Sequence, residues 1–286
     1  MSNLSDISVI KNVLNKHGFT FSKALGQNFI INPVVCPRIA DEGGARAGTG
    51  VIEVGAGIGV LTAELAKRAD KVVCIELDER LFPVLDETLA EFDNIKIIHG
   101  DILKVDLQKI LADEFGDIPV TVCANLPYYI TSPVIMKLLE SKLNIESVTV
   151  MVQKEAAQRL CAKVGSRDSG AVTVAVNYYA EAQKLFDVSR GSFMPSPNVD
   201  SAVIRLDIRQ APPIKVSDEK FFFQMVKSAF AQRRKTASNG ISSGTGIPKQ
   251  TVIEAIEACG MPPSVRAESL SMEELGILCE ELIKSK

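Results

Sequence analysis

Short apolar runs alternate with segments of helical periodicity over the first two thirds of the chain, and this pattern predicts an α/β fold. Runs at 51–54, 71–77, 95–98, 120–124 and 147–152 are short and mostly apolar, the pattern of buried strands. Between them, 58–68, 80–92, 134–141 and 154–163 place apolar residues three and four apart and predict helices. Strand and helix in strict alternation predict a doubly wound, mostly parallel sheet. An amphipathic opening over 1–22 and a helix over 34–42 precede the first strand. The segments 182–188 and 201–208 read as strands, while 172–179 fits either a strand or a buried helix. Beyond Ala211, Pro212 and Pro213 only helical patterns remain, at about 218–234, 248–259 and 272–284. Residues 239–246, rich in glycine and serine, predict a flexible polar loop. The expected domains are therefore 1–211, Rossmann-like, and 212–286, small and all-helical.

The 286 residues are 46% hydrophobic and 23% charged, with a net charge of −3. These values fit a globular cytoplasmic protein and exclude a membrane span, since no apolar stretch approaches the ~20 residues one needs. The N-terminal segment lacks the pattern of a signal peptide. Six scattered cysteines give no zinc or redox spacing, and no metal site is predicted. An acidic balance argues mildly against nucleic acid, but distribution outweighs the sum. Residues 227–235 contain Lys227, Arg233, Arg234 and Lys235 and no acid. That run is either a solvated helix end or a contact for phosphates.

Two segments carry chemistry. Glycines 55, 57 and 59 stand between a predicted strand and helix, where backbone can approach a ligand closely. The spacing fits NAD poorly, because a dinucleotide fingerprint places its third glycine one residue later. Glu76 ends the second strand, 21 residues beyond Gly55, where a carboxylate can accept both ribose hydroxyls. Asp101 ends the third, in reach of an adenine amino group. About seventy residues past the glycines comes Asn125-Leu126-Pro127-Tyr128, which joins an amide, a stiffened backbone and an aromatic face. The Asn125 oxygen and Leu126 carbonyl can accept from the two protons of an exocyclic amine, freeing its lone pair. Tyr128 can stack on the base and stabilise the cationic nitrogen that forms. Phe193, in a proline-rich loop, is the candidate second aromatic to clamp the base. The set points to methyl transfer from S-adenosylmethionine to a nucleobase nitrogen, without a metal.

Those residues, with others, carry a resemblance over nearly the full length. The chain resembles the 16S ribosomal RNA adenine dimethyltransferases. The matching segments are Leu25-Gly26-Gln27-Asn28-Phe29, the glycine turn from Glu53 to Gly57, Ile75 to Asp78, Gly100-Asp101 and Asn125 to Tyr128. They continue with Gln153 to Glu155 and Arg159-Leu160, the Phe193 to Ala202 loop, and Phe230 to Thr236. The resemblance implies a class I S-adenosylmethionine-dependent methyltransferase with a helical C-terminal domain. Asn28, Ile30, Gly55, Gly57, Glu76, Asp101 and Asn125 would hold the cofactor. Arg233, Arg234 and Lys235 would meet RNA. The substrate would be two adjacent adenosines in the 3′-terminal hairpin loop of 16S rRNA, within an immature small ribosomal subunit. The enzyme would act as a monomer in ribosome biogenesis, and its loss would go with kasugamycin resistance. The resemblance also favours a helix at 172–179. Alternatives are a 23S rRNA adenine methyltransferase of the macrolide-resistance type and a non-catalytic assembly factor. A dehydrogenase fits least, since neither His17 nor His99 is placed for hydride chemistry.

Overall fold

The computed structural model describes residues 4–22, 26–232 and 234–285, so Arg233 and the Lys23–Leu25 stretch lie outside the described residues. In chain order the helices are α1 (Ile7–Lys16), α2 (Val35–Glu42), α3 (Val60–Ala66), α4 (Phe82–Thr88), α5 (Leu107–Phe115) and α6 (Thr131–Glu140). They continue as α7 (Lys154–Leu160), α8 (Ala171–Tyr179), α9 (Glu219–Phe230), α10 (Ala237–Thr245), α11 (Lys249–Ala258) and α12 (Met272–Lys284). The strands are β1 (Phe29–Ile30), β2 (Gly50–Val54), β3 (Lys71–Glu76), β4 (Ile95–His99), β5 (Val120–Asn125) and β6 (Ser147–Gln153). The last three are β7 (Ala180–Val188), β8 (Phe193–Met194) and β9 (Ser201–Ile208).

Seven strands form one sheet in the order β4-β3-β2-β5-β6-β9-β7. β2 runs parallel to β3 and β5, β3 to β4, and β5 to β6, whereas β9 pairs antiparallel with β6. The chain order turns back between β2 and β5, and the carboxyl ends of the parallel strands therefore flank a crevice there. This is the doubly wound, mostly parallel sheet expected from the alternation, and the class I methyltransferase arrangement that the resemblance implies. The inner apolar runs are buried as expected, every residue of β2 and all of β5 until Asn125 at its end, whereas β4 at the sheet edge has no fully buried residue and exposes Lys96 and His99. A separate two-stranded ribbon joins β1 to β8, with Ile30 opposite Phe193. Such short pairs have no periodicity to announce them.

Two compact units divide the chain differently from a single cut after 211. One comprises residues 1–157 and 182–208, the other 158–181 and 209–286. The reason is α8. Its Val174 and Tyr178 share a core with Phe221, Phe222, Met225 and Leu278, so this apolar helix completes the helical unit. Tyr178 sits 5.6 Å from the Phe222 ring and 5.1 Å from that of Phe223. Residues 172–179 are helical despite four β-branched side chains, because burial against α9 outweighs a propensity difference of a few tenths of a kcal/mol per residue.

The flexible loop expected at 239–246 is instead helix α10, closed by the left-handed Gly246. Its small residues are the reason. A Cβ at Gly240 would lie 2.5 Å from the Ser228 carbonyl oxygen, and one at Gly244 would overlap the Ser228 hydroxyl. The stripe that lowers helix propensity lets α10 pack backbone to backbone on α9, which burial of Ala237 and Ile241 then stabilises. Among the described residues no helix is long and apolar enough to cross a membrane.

Candidate active site

The crevice at the carboxyl ends of β2, β3, β4 and β5 opens into a cleft of about 870 Å³, including the solvent it admits. Gly55, Gly57, Glu76, Asp101, Asn125, Leu126, Tyr128 and Asn28 all line it, which unites eight of the sequence-predicted residues. Gly55 has φ +79°, and a Cβ there would meet nothing within 4 Å, so the turn leaves open space where a ligand can approach the main chain.

Glu76 is pinned from two sides. Its Oε2 accepts from the Gly57 amide at 3.1 Å and its Oε1 from the Asp78 amide at 2.9 Å. Burial raises its pKa above the usual carboxylate range, and the two amides pull it back in part. Asp101 Oδ1 accepts from the Leu103 amide at 2.9 Å, and Lys104 Nζ stands 3.7 Å from Oδ2. The distal wall is a strap around Gly26. Gln27 donates to Asp78 Oδ2 at 2.8 Å and accepts from the Ser22 amide at 2.9 Å, while Arg80 grips the same carboxylate through two nitrogens. That double grip holds the Asp78 carboxyl below its ordinary value, Arg80 being the main cause. Gln27 was not singled out from the sequence. It stands in the matching Leu25–Phe29 segment, but its role shows only where the turn after β3 brings Asp78 beside it.

Asn125 is oriented by one bond. Its Nδ2 donates to the Asn28 carbonyl at 3.2 Å, an amide orientation assigned from this network that leaves Oδ1 as the acceptor. Pro127 has φ −56° and ψ 132°, and Tyr128 anchors its hydroxyl on Ser201 at 2.7 Å. Burial lifts the Tyr128 pKa, so the hydroxyl stays neutral. Beside it Tyr129 is 58% exposed and lines the same cleft, an aromatic surface the sequence reading passed over.

Ile30 and Phe193 are not among the cleft's lining residues. Ile30 is 4% exposed and Phe193 3%, both set in the core by the β1–β8 ribbon. Phe193, expected from the sequence as a clamp on the base, is packed in the core cluster in this structure. Arg234 and Lys235 are exposed between α9 and α10 in the helical unit, and Arg233 lies outside the described residues. No cluster of metal-ligating side chains occurs among the described residues, and the donor set is one of amides, carboxylates and aromatic rings.

Beneath the glycine turn lies Glu53, 1% exposed. It accepts from Thr62 Oγ1 at 2.6 Å and from Cys74 Sγ at 3.2 Å, linking β2 to α3 and β3. Burial pushes its pKa up to about 7, against the pull of those two donors.

The family model for ribosomal RNA adenine dimethylases matches residues 18–282. The chain is 50% identical over 277 residues to the ribosomal RNA small subunit methyltransferase A of Geobacillus thermodenitrificans (strain NG80-2), covering 96% of this chain and 94% of that one. It is 45% identical to the protein so named in Bacillus mycoides (strain KBAB4), over 100% and 99% of the two chains. The structure resembles a dimethyladenosine transferase from Plasmodium falciparum with a TM-score of 0.73 and 25% identity, covering 90% of this chain and 98% of that one. It resembles the 23S rRNA methyltransferase ErmE with a TM-score of 0.67 and 28% identity, over 90% and 100%. The chain belongs to the ribosomal RNA adenine dimethylase family and is a methyltransferase.

Proposed function

We propose that this enzyme transfers methyl groups from S-adenosylmethionine to the N6 amines of two adjacent adenosines in the 3′-terminal hairpin loop of 16S rRNA, giving dimethyladenosines. The observation that carries the reading is the orientation of Asn125 at the end of β5, beside the cofactor cleft. With its Nδ2 held by the Asn28 carbonyl, Oδ1 is free to accept from the target amine.

The glycine turn, Glu76 and Asp101 fit the donor: open backbone at Gly55, a carboxylate for ribose hydroxyls and a second for an adenine amine. When bound, S-adenosylmethionine supplies an electrophilic methyl group on a sulfonium. Everything else falls to the chain. An adenine N6 is a poor nucleophile because its lone pair is delocalised into the ring. Accepting from its protons with Asn125 Oδ1 and the Leu126 carbonyl favours a pyramidal nitrogen with the lone pair exposed. Tyr128 stacks on the base, held by its bond to Ser201. Tyr129 offers an exposed ring at the same cleft. Base stacking offsets the few kcal/mol that extrusion costs. The methylated nitrogen is acidic and releases its proton to water, so no tuned general base is needed. Rate then comes from positioning and fixed dipoles.

The relatives named for the small subunit direct the substrate assignment. The preferred particle is an immature small subunit in the cytoplasm, met by a monomeric enzyme whose Arg234 and Lys235 engage phosphates.

The test is incubation with labelled S-adenosylmethionine and small subunits from a strain lacking the modification, followed by digestion and mass spectrometry. Dimethyladenosine in small-subunit rRNA, absent with Asn125→Ala, is the expected result. Methylation confined to large-subunit rRNA would reassign the substrate. Tight subunit binding without transfer would make the protein an assembly factor.

A further inference from the structure

Gly26, Gln27 and Asn28 of the strap line the same cleft as Glu76 and Asn125. We infer that Gln27 and Asp78 are positioning residues for methyl transfer: their hydrogen bond fixes the strap so that Asn28 meets the cofactor cleft and Asn125 in one geometry. The inference rests on the roles proposed above for Glu76 and Asn125.

Hydrogen bonds run unbroken from one of these groups to the other. The Asp78 amide donates to Glu76 Oε1 at 2.9 Å, and the Asp78 carboxylate accepts from Gln27 Nε2 at 2.8 Å. Asn28 follows Gln27 in the chain. Its Nδ2 donates to the Gly26 carbonyl at 3.0 Å, and its own carbonyl accepts from Asn125 Nδ2 at 3.2 Å. A shift of the strap at Gln27 therefore moves the acceptor that turns Asn125 Oδ1 toward the target amine. The strap also lies directly against the Asn125–Tyr129 segment, since a Cβ at Gly26 would sit 3.4 Å from the Tyr129 ring and 3.5 Å from Pro127. Displacements well under the size of an atom matter at such a site.

Asp78 is built to hold this junction. It is 6% exposed, and a carboxylate so buried needs partners. Arg80 supplies the countercharge through Nε at 2.8 Å and Nη2 at 2.7 Å, and Gln27 adds a neutral donor. The countercharge serves Glu76 as well, because an unpaired carboxylate two residues away would disfavour its ionised form. The Arg80 guanidinium lies 5.1 Å from the centre of the Phe19 ring, and Phe19 packs 6.1 Å from Phe29, the residue after Asn28. The circuit through Gln27, Asp78, Arg80, Phe19 and Phe29 thus closes on the strap it holds. Gln27 uses both ends of its side-chain amide, since Oε1 accepts from the Ser22 amide at 2.9 Å.

The experiment uses the full chain and small subunits lacking the modification. Gln27→Ala removes the bond from a half-buried position outside the core. Affinity for S-adenosylmethionine, read by calorimetry on the free protein, should weaken about tenfold. Turnover, kcat, should fall several-fold while KM for the small subunit stays unchanged, a split that general disruption would not give. Gln27→Glu keeps an acceptor for the Ser22 amide but sets carboxylate against carboxylate, and cofactor affinity should drop again. Adding Asp78→Asn to that chain puts a side-chain amide opposite the new carboxylate and leaves a charge for Arg80, so part of the affinity should return. Wild-type cofactor affinity and kcat in Gln27→Ala would overturn the inference. So would a double variant weaker than Gln27→Glu alone, or a loss of subunit affinity equal to that of the cofactor. If wild-type protein neither binds S-adenosylmethionine nor methylates the subunit, the functional reading fails instead.

Discussion

Glu53 offers the most quantitative test of how the cofactor turn is built. In an unfolded chain its carboxyl ionises near 4.5, whereas in the folded protein burial raises the value to about 7. Below 4.5 both states hold the proton. Between 4.5 and 7 the folded chain keeps a proton that the unfolded chain has released, so stability falls as pH rises across this window. Above 7 both are ionised and the contribution is constant. The gap corresponds to about 3 kcal/mol at ~1.36 kcal/mol per pH unit, of which about 2–3 kcal/mol lies between pH 5 and 8. The perturbation is Glu53→Gln, which keeps the shape and can still accept from Thr62 while removing the titration. Since the chain has two compact units and no tryptophan, a global unfolding curve is a poor probe. Hydrogen exchange of peptides spanning 50–66, corrected for intrinsic rates, reads the opening free energy of β2 and α3 directly. Wild-type protein should lose about 2–3 kcal/mol of protection from pH 5 to 8, and Glu53→Gln should show little of that step. An equal step in both proteins would refute the assignment, because some other group would then be titrating.

Other outcomes follow from the same structure. Glu76→Ala should weaken S-adenosylmethionine binding at least tenfold, since a charge-assisted hydrogen bond contributes about 1.5–3 kcal/mol; calorimetry showing unchanged affinity would remove Glu76 from the site. Gly240→Ala should destabilise the helical unit by about 1–3 kcal/mol despite alanine's better helix propensity, because its Cβ would meet the Ser228 carbonyl. A rise in melting temperature would mean that α10 does not pack as described. Neutralising Arg234 and Lys235 together should flatten the salt dependence of subunit binding by about two; an unchanged slope would leave them as a solvated helix end.

The sequence by itself determined the alternation of buried strands and helices, because strands covered on both faces are mostly apolar and the helices that cover them are amphipathic. It also placed Gly55, Glu76, Asp101 and Asn125 at strand ends, and a parallel sheet brings such ends together whatever lies between them. The family motifs made the methyltransferase identity legible for the same local reason. What only the tertiary structure decided involves partners distant in sequence. The 239–246 stretch is helical because α9 offers a surface its glycines can approach. The 158–181 segment joins the helical unit because α8 buries its apolar face among the aromatics of α9. Phe193 became core through pairing with Ile30, over a separation no local pattern encodes. Local propensity differs by less than a kcal/mol per residue, and burial of a side chain by about 1.5–3 kcal/mol, so where the two conflict the long-range contact decides.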